Sequence, residues 1–274
     1  MIRLVDLPAI DTLELRIPFE KPFFSYDWER KNKHELILEE VFTLFKLSEA
    51  NCLGRYRQIY VRGGVNVEIN HNSIKILLKG EFFLKVTAWV AIRMLLNSVA
   101  KLNLHFYLTR LDICRHYLAG KCSAPLDDLK KDYWILKTGN SFYQPELYVR
   151  GISKSLGAYF KSTNLVISCY SKSHQVSELK RKLDQTRMKE EKRARFKKQI
   201  AQFNDKFKSI DEEIYRIEWR LLSKAKLSFA NDLIQAHQNE LQFCGAILRT
   251  IQTSHPMRDQ SKTLSKKYHR MFKE

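Results

Sequence analysis

Polar and apolar residues alternate over residues 11–19, DTLELRIPF. That period of two predicts a half-buried strand, and Pro18 and Pro22 then interrupt it. Residues 34–48 carry Leu36, Val41, Leu44, Phe45 and Leu47 at helical spacing. A strand-rich block follows. Residues 56–62 and 65–70 flank Gly63-Gly64, a hairpin turn signal, and 73–79 supplies a third strand. Residues 82–99 read as a buried helix and 104–114 as a strand. Pro125 and the acids after it open a predicted helix over 125–136. Strands are expected at 146–150, 156–160, 165–172 and 214–222, and one or two helices over 226–252.

The pattern changes near residue 176. Residues 179–208 hold twelve Lys/Arg against four Asp/Glu, with no Gly or Pro. Phe196, Ile200, Phe203, Phe207 and Ile210 recur at steps of four and three, the apolar seam of an amphipathic helix. Strands and helices neither alternate strictly nor segregate. The chain therefore reads as α+β, with a central, largely antiparallel sheet, helices on one face, and a long basic helix inserted before the last core strand. The expected division is a catalytic or DNA-binding domain from 1–178 and 211–252, a basic helical insertion at 179–210, and a basic tail at 253–274.

Charge narrows the partner. The chain has 48 Lys+Arg and 30 Asp+Glu, a formal net charge of +18. Self-repulsion of that size usually answers to a polyanion, and nucleic acid is the commonest one. Hydrophobic residues at 44% provide for a real core. Five cysteines, none in CxxC spacing, argue against a disulfide framework or a structural zinc site and fit a cytoplasmic protein. Arg3, Asp6, Asp11, Glu14 and Arg16 exclude a signal peptide, and no uncharged apolar run is long enough to span a membrane. The glycines form neither a Walker loop nor GxGxxG, so ATP-driven chemistry is not expected.

Three strands each set polar side chains against apolar ones. Their polar faces are Arg110, Asp112 and Cys114; Ser168, Tyr170 and Lys172; and Arg216, Glu218 and Arg220. On one shared sheet face this set could run phosphodiester transesterification. A tyrosine oxygen would attack phosphorus and a sugar hydroxyl would leave. An ammonium beside the tyrosine would favour phenolate, paired carboxylates would suit Mg²⁺ or Mn²⁺, and arginines would hold phosphates. The same pattern also fits half-buried packing tyrosines and structural ion pairs on an exposed sheet face. Spacing alone leaves both readings open.

The runs LTRLDIC (108–114), GAYFKSTNLVISCYSKS (157–173) and YRIEWRLL (215–222) together resemble the rolling-circle replication initiation proteins of plasmids and filamentous-type phages, the replication initiation factor family. That family reads Arg-x-Asp, then Tyr-x-Lys, then Arg-x-Glu, in this order. The resemblance implies a tyrosine-dependent DNA nickase. Tyr170 would be the nucleophile, leaving a 5′-phosphotyrosine link and a free 3′-hydroxyl, with Lys172 as its partner. It further implies Asp112 and Glu218 as metal-side carboxylates for Mg²⁺ or Mn²⁺. Where the family often carries acids, this chain has Ser171, Gln175 and His116, and His116 could serve as a ligand instead. Arg110, Arg216, Arg220 and the basic Lys180, Arg181 and Lys182 would meet DNA. The implied partners are origin DNA and a host helicase and polymerase, without a membrane; a homodimer is compatible. The alternative is a degenerate, non-catalytic DNA-binding or regulatory relative; an RNA-binding or membrane-surface protein is a third reading.

Overall fold

The computed structural model describes residues 3–4, 6–19, 28–53, 58–70, 72–118, 134–138, 141–143, 146–150, 155–161, 165–184, 188–222, 224–254 and 257–259. The fold is α+β, with antiparallel strand registers. The chain divides into two compact units. One comprises residues 8–113 and 220–248, the other residues 1–7, 114–219 and 249–274.

In the first unit, β2 (Ala9–Pro18), β3 (Gln58–Arg62), β4 (Val65–Asn70) and β5 (Ser73–Lys79) join in the order β3-β4-β5-β2. Register explains their stability. Leu13, Leu15 and Ile17 stand opposite Leu78, Ile76 and Ile74. Val65 and Val67 stand opposite the same Leu78 and Ile76. All eight are at most 1% exposed, so a slip by one residue would turn every one of them outward. Helix α1 (Trp28–Phe45) buries Ile37, Val41 and Phe45. Between Arg62 and Val65, Gly63 and Gly64 have φ of 51° and 84°, as a two-residue hairpin turn with both central residues left-handed requires.

The single helix expected over 82–99 is two: α2 (Gly80–Phe83) and α3 (Ala88–Lys101). Lys85 and Ala88 close turns between them, through Lys85 N–H to Phe82 O and Ala88 N–H to Lys85 O. Val86 is 99% exposed there, so the apolar run 82–99 includes residues that the core does not take. Helices α6 (Lys224–Ala236) and α7 (Glu240–Ser254) follow the last long strand.

The second unit takes the C-terminal part of β6 (Tyr107–Leu118), with β9 (Glu146–Arg150), β10 (Ser155–Lys161), β11 (Leu165–Ser171) and most of β12 (Ile214–Leu221), in the order β6-β12-β11-β10-β9. Strand β1 (Arg3–Leu4) pairs with β6. The helix expected at 125–136 is not found where it can be seen: 134–136 belong to β7 (Trp134–Thr138), and 125–133 lie outside the described residues. A small separate sheet joins β7 with β8 (Ser141–Tyr143) and β13 (Met257–Asp259). Of the basic tail, 255–256 and 260–274 likewise fall outside the described residues.

The basic insertion is present as two helices rather than one, α4 (Lys172–Leu183) and α5 (Glu190–Lys206), packed against each other. One helix over 179–208 would run about 45 Å and carry much of its apolar stripe away from any partner. Folding back lets both stripes find cover. Val176 of α4 is buried, and Phe207, with Leu118 and Ile214, forms a cluster that Phe203 and Ile210 pack against. Among the described residues, no helix is long and apolar enough to cross a membrane.

Candidate active site

Tyr170 lies near the end of β11, opposite Gly157 of β10. Alternation along the strand turns Leu165, Ile167 and Cys169 to one side and Tyr170 to the other. The strand stops at Ser171, which caps α4 by accepting from the His174 N–H at 3.1 Å. Lys172 is therefore the first residue of a helix, not a strand neighbour of Tyr170, and its ammonium donates to Gln175 Oε1 at 2.6 Å. Two further bonds tie this corner to the start of β12. Ser171 Oγ donates to Glu213 at 2.6 Å, and Ser173 Oγ accepts from the Ile214 N–H at 2.9 Å.

The phenol oxygen of Tyr170 donates to Glu218 Oε1 at 2.6 Å. Arg216 Nε stands 2.8 Å from the same carboxylate oxygen. The site thus holds a phenol, a carboxylate and a guanidinium in one chain of contact. It is well covered: Tyr170 is 6% exposed, and the side chains of Arg216 and Glu218 are 9% and 17% exposed. Neighbouring groups are structural. Tyr117 is fully buried, stacks on Tyr215 and meets Cys169 Sγ at 2.8 Å. Burial pushes the Cys169 thiol up to about 12, so it stays protonated and unreactive.

The other expected site residues each have partners of their own. Asp112 is 1% exposed and accepts from two arginines. Arg110 reaches it through Nε and Nη2, the latter at 2.6 Å, and Arg220 through Nε at 3.0 and 3.1 Å. His116 is buried against Asp6: its backbone N–H and its Nδ1 meet the two Asp6 oxygens at 2.7 and 2.6 Å. Lys180 and Arg181 are exposed in the last turn of α4, while Lys182 stands 4.0 Å from Glu178. Arg216, expected to meet DNA, is instead buried beside Glu218.

The residues expected to face a metal thus have other partners. Both Asp112 oxygens are occupied by guanidinium groups, His116 turns Nδ1 to Asp6, and Glu218 holds Tyr170 and Arg216. Among the described residues, no group of three His, Cys, Asp or Glu side chains could hold a metal ion. The sequence reading missed Asp6, Glu213 and the capping role of Ser171. Only the last had a local signal, a serine just before helically spaced Val176, Leu179 and Leu183.

No protein-family model matches the chain, and no curated protein matches it. Among solved structures, the rolling circle replication initiator protein from Geobacillus stearothermophilus is similar to it. The two share 16% sequence identity over 96% of this chain and 89% of that one, with a TM-score of 0.47.

Proposed function

We propose that this chain initiates rolling-circle replication by nicking one DNA strand at an origin through Tyr170. The observation that carries the reading is the 2.6 Å bond from the Tyr170 hydroxyl to Glu218, with Arg216 against the same carboxylate. The order of Arg-x-Asp, Tyr-x-Lys and Arg-x-Glu runs along the chain adds support from the sequence.

The chemistry can be written without a metal. Tyrosine ionises near pH 10 in water, so attack at neutral pH needs a group to take its proton. Glu218 already accepts the hydrogen bond along which that proton would pass. The phenol oxygen bonds to phosphorus and the bond to the 3′ oxygen breaks; the phenol proton passes through Glu218 to solvent, and solvent returns one to that oxygen to give the 3′-hydroxyl. A 5′-phosphotyrosine remains. Arg216 keeps a positive charge beside the carboxylate before transfer and beside the phenolate during it.

Supercoiled plasmid carrying the native origin, incubated with the chain and run on a denaturing gel, tests this directly. The unaltered protein should give nicked, protein-linked DNA. Tyr170→Phe should give none while still binding DNA. An adduct formed by Tyr170→Phe would move the nucleophile elsewhere.

A second reading has its own support. The low exposure of Tyr170 and the structural engagement of Asp112 suit a relative that binds origin DNA without cutting it. That reading expects salt-sensitive binding and no covalent product with either Mg²⁺ or Mn²⁺ added.

A further inference from the structure

Asp112 does something that a metal ligand would not. It is 1% exposed, yet the side chains of the two arginines it holds are 38% and 39% exposed. Arg110 and Asp112 lie on β6 and Arg220 on β12, all within the first unit. The carboxylate accepts Nε and Nη2 of Arg110 and Nε of Arg220. Two adjacent arginines would otherwise repel and swing apart. One buried anion between them fixes both planes and leaves a net single positive charge. Among the described residues, no hydrogen bond engages Arg110 Nη1 or either Nη group of Arg220, which leaves these donors for another acceptor. The surroundings hold charges of both signs. Glu14 on β2 is bound by Thr109 Oγ1 at 2.7 Å and Lys75 at 3.2 Å, and Asp11 and Glu14 both act on Arg110.

We infer that Arg110 and Arg220 form a two-pronged receptor for a phosphodiester of the DNA backbone, and that Asp112 is the positioning residue that locks them. A phosphodiester has one negative charge and two free oxygens, which match the charge and the paired planar donors of this fork. The inference rests on the DNA-directed function proposed above, but not on its tyrosine chemistry. It also gives Asp112 a role in which both carboxylate oxygens are used.

The test uses the full chain carrying Tyr170→Phe, in EDTA, with a fluorescein-labelled mixed-sequence DNA duplex read by anisotropy across a salt series. Arg110→Gln and Arg220→Gln should each weaken binding roughly fivefold near physiological salt and lower the log–log salt slope by about 0.9. Arg220→Lys keeps the charge and should weaken binding as well, because a lysine cannot hold the fork. Asp112→Asn is the sharpest arm. It makes the chain more basic, so simple electrostatics predicts tighter binding, whereas loss of positioning predicts weaker binding. Thermal unfolding reports whether Asp112→Asn still folds; if it does not, Arg220→Lys decides. Equal or tighter binding by a folded Asp112→Asn, or binding by Arg220→Lys that matches its parent, overturns the receptor. The adduct assay with Tyr170 intact is scored separately: normal adduct with unaltered binding in the arginine variants removes the receptor and leaves the nickase, and the reverse pattern does the opposite.

Discussion

Asp6 and His116 make a small acid-sensitive device. Burial alone would raise the Asp6 carboxyl. Hydrogen bonds and charge from His116, and the Lys206 ammonium at 2.6 Å, outweigh that and hold it down at about 2, against an ordinary 3.8. Burial pushes His116 the other way for a base, below its usual 6.5, against the raising pull of Asp6. A neutral imidazole donating Nδ1–H to an ionised Asp6 satisfies both. The signs then follow. Asp6 has a depressed folded pKa, so its contribution is complete above about 3.8 and is lost as pH falls towards 2; linkage puts it at about 2 kcal/mol. His116 is harder to protonate when folded, so the unfolded chain takes up its proton first and stability falls as pH drops below 6.5. Melting temperature should therefore decline from pH 7 to pH 5, and again below pH 4. In His116→Gln the decline from 7 to 5 should flatten; a slope unchanged by that substitution would mean that His116 is not its source.

The β3–β4 hairpin shows what the sequence makes legible and what it leaves out. Gly63-Gly64 announces the turn, and both glycines do have positive φ. The sequence does not say which of them is pressed. A Cβ on Gly63 would meet only the movable Lys85 ammonium, at 3.1 Å; one on Gly64 would sit 2.6 Å from the Phe82 backbone nitrogen. Gly64→Ala should thus cost about 2–3 kcal/mol and Gly63→Ala about 1. Equal melting temperatures for the two variants would contradict this contact. The same limit governs the other elements. The strand over residues 11–19 was readable from its alternation because one face meets the core. The junction after Tyr170 was only partly so: a serine ahead of helical spacing signals the cap that Ser171 makes with the His174 N–H, but nothing local signals Glu213, far along the chain, which accepts from the same hydroxyl. The candidate site divided likewise. Strand faces set Tyr170 and Glu218 among the same polar residues without pairing them, since Lys172 was the partner expected for Tyr170; nor can alternation tell a carboxylate awaiting a metal from one already clasped by two arginines, as Asp112 is.

At the scale of the whole molecule, a net charge of +18 has to be distributed somewhere. The helical insertion takes a large share. It buries Val176, Ile200 and Phe207, with Glu178 the buried charged residue beside them, and Lys192, Arg195 and Lys197 of α5 are exposed along with Lys180 and Arg181 of α4. Exposed cations on a helix cost little in stability, since water solvates them, so their number need not reflect the fold. If they meet DNA, they do so through phosphates, and each contact releases counterions in proportion to its charge. Replacing Lys192, Arg195 and Lys197 together by Gln should lower the slope of log binding constant against log salt by about 2–3. It should leave the melting temperature nearly unchanged, because none of the three is buried. Binding measured over a salt series separates the outcomes. A reduced slope with intact folding assigns the insertion to the DNA backbone. An unreduced slope would show that these charges are solvated, and the phosphate contacts would then lie elsewhere on the chain, with the Arg110–Arg220 pair the first place to look.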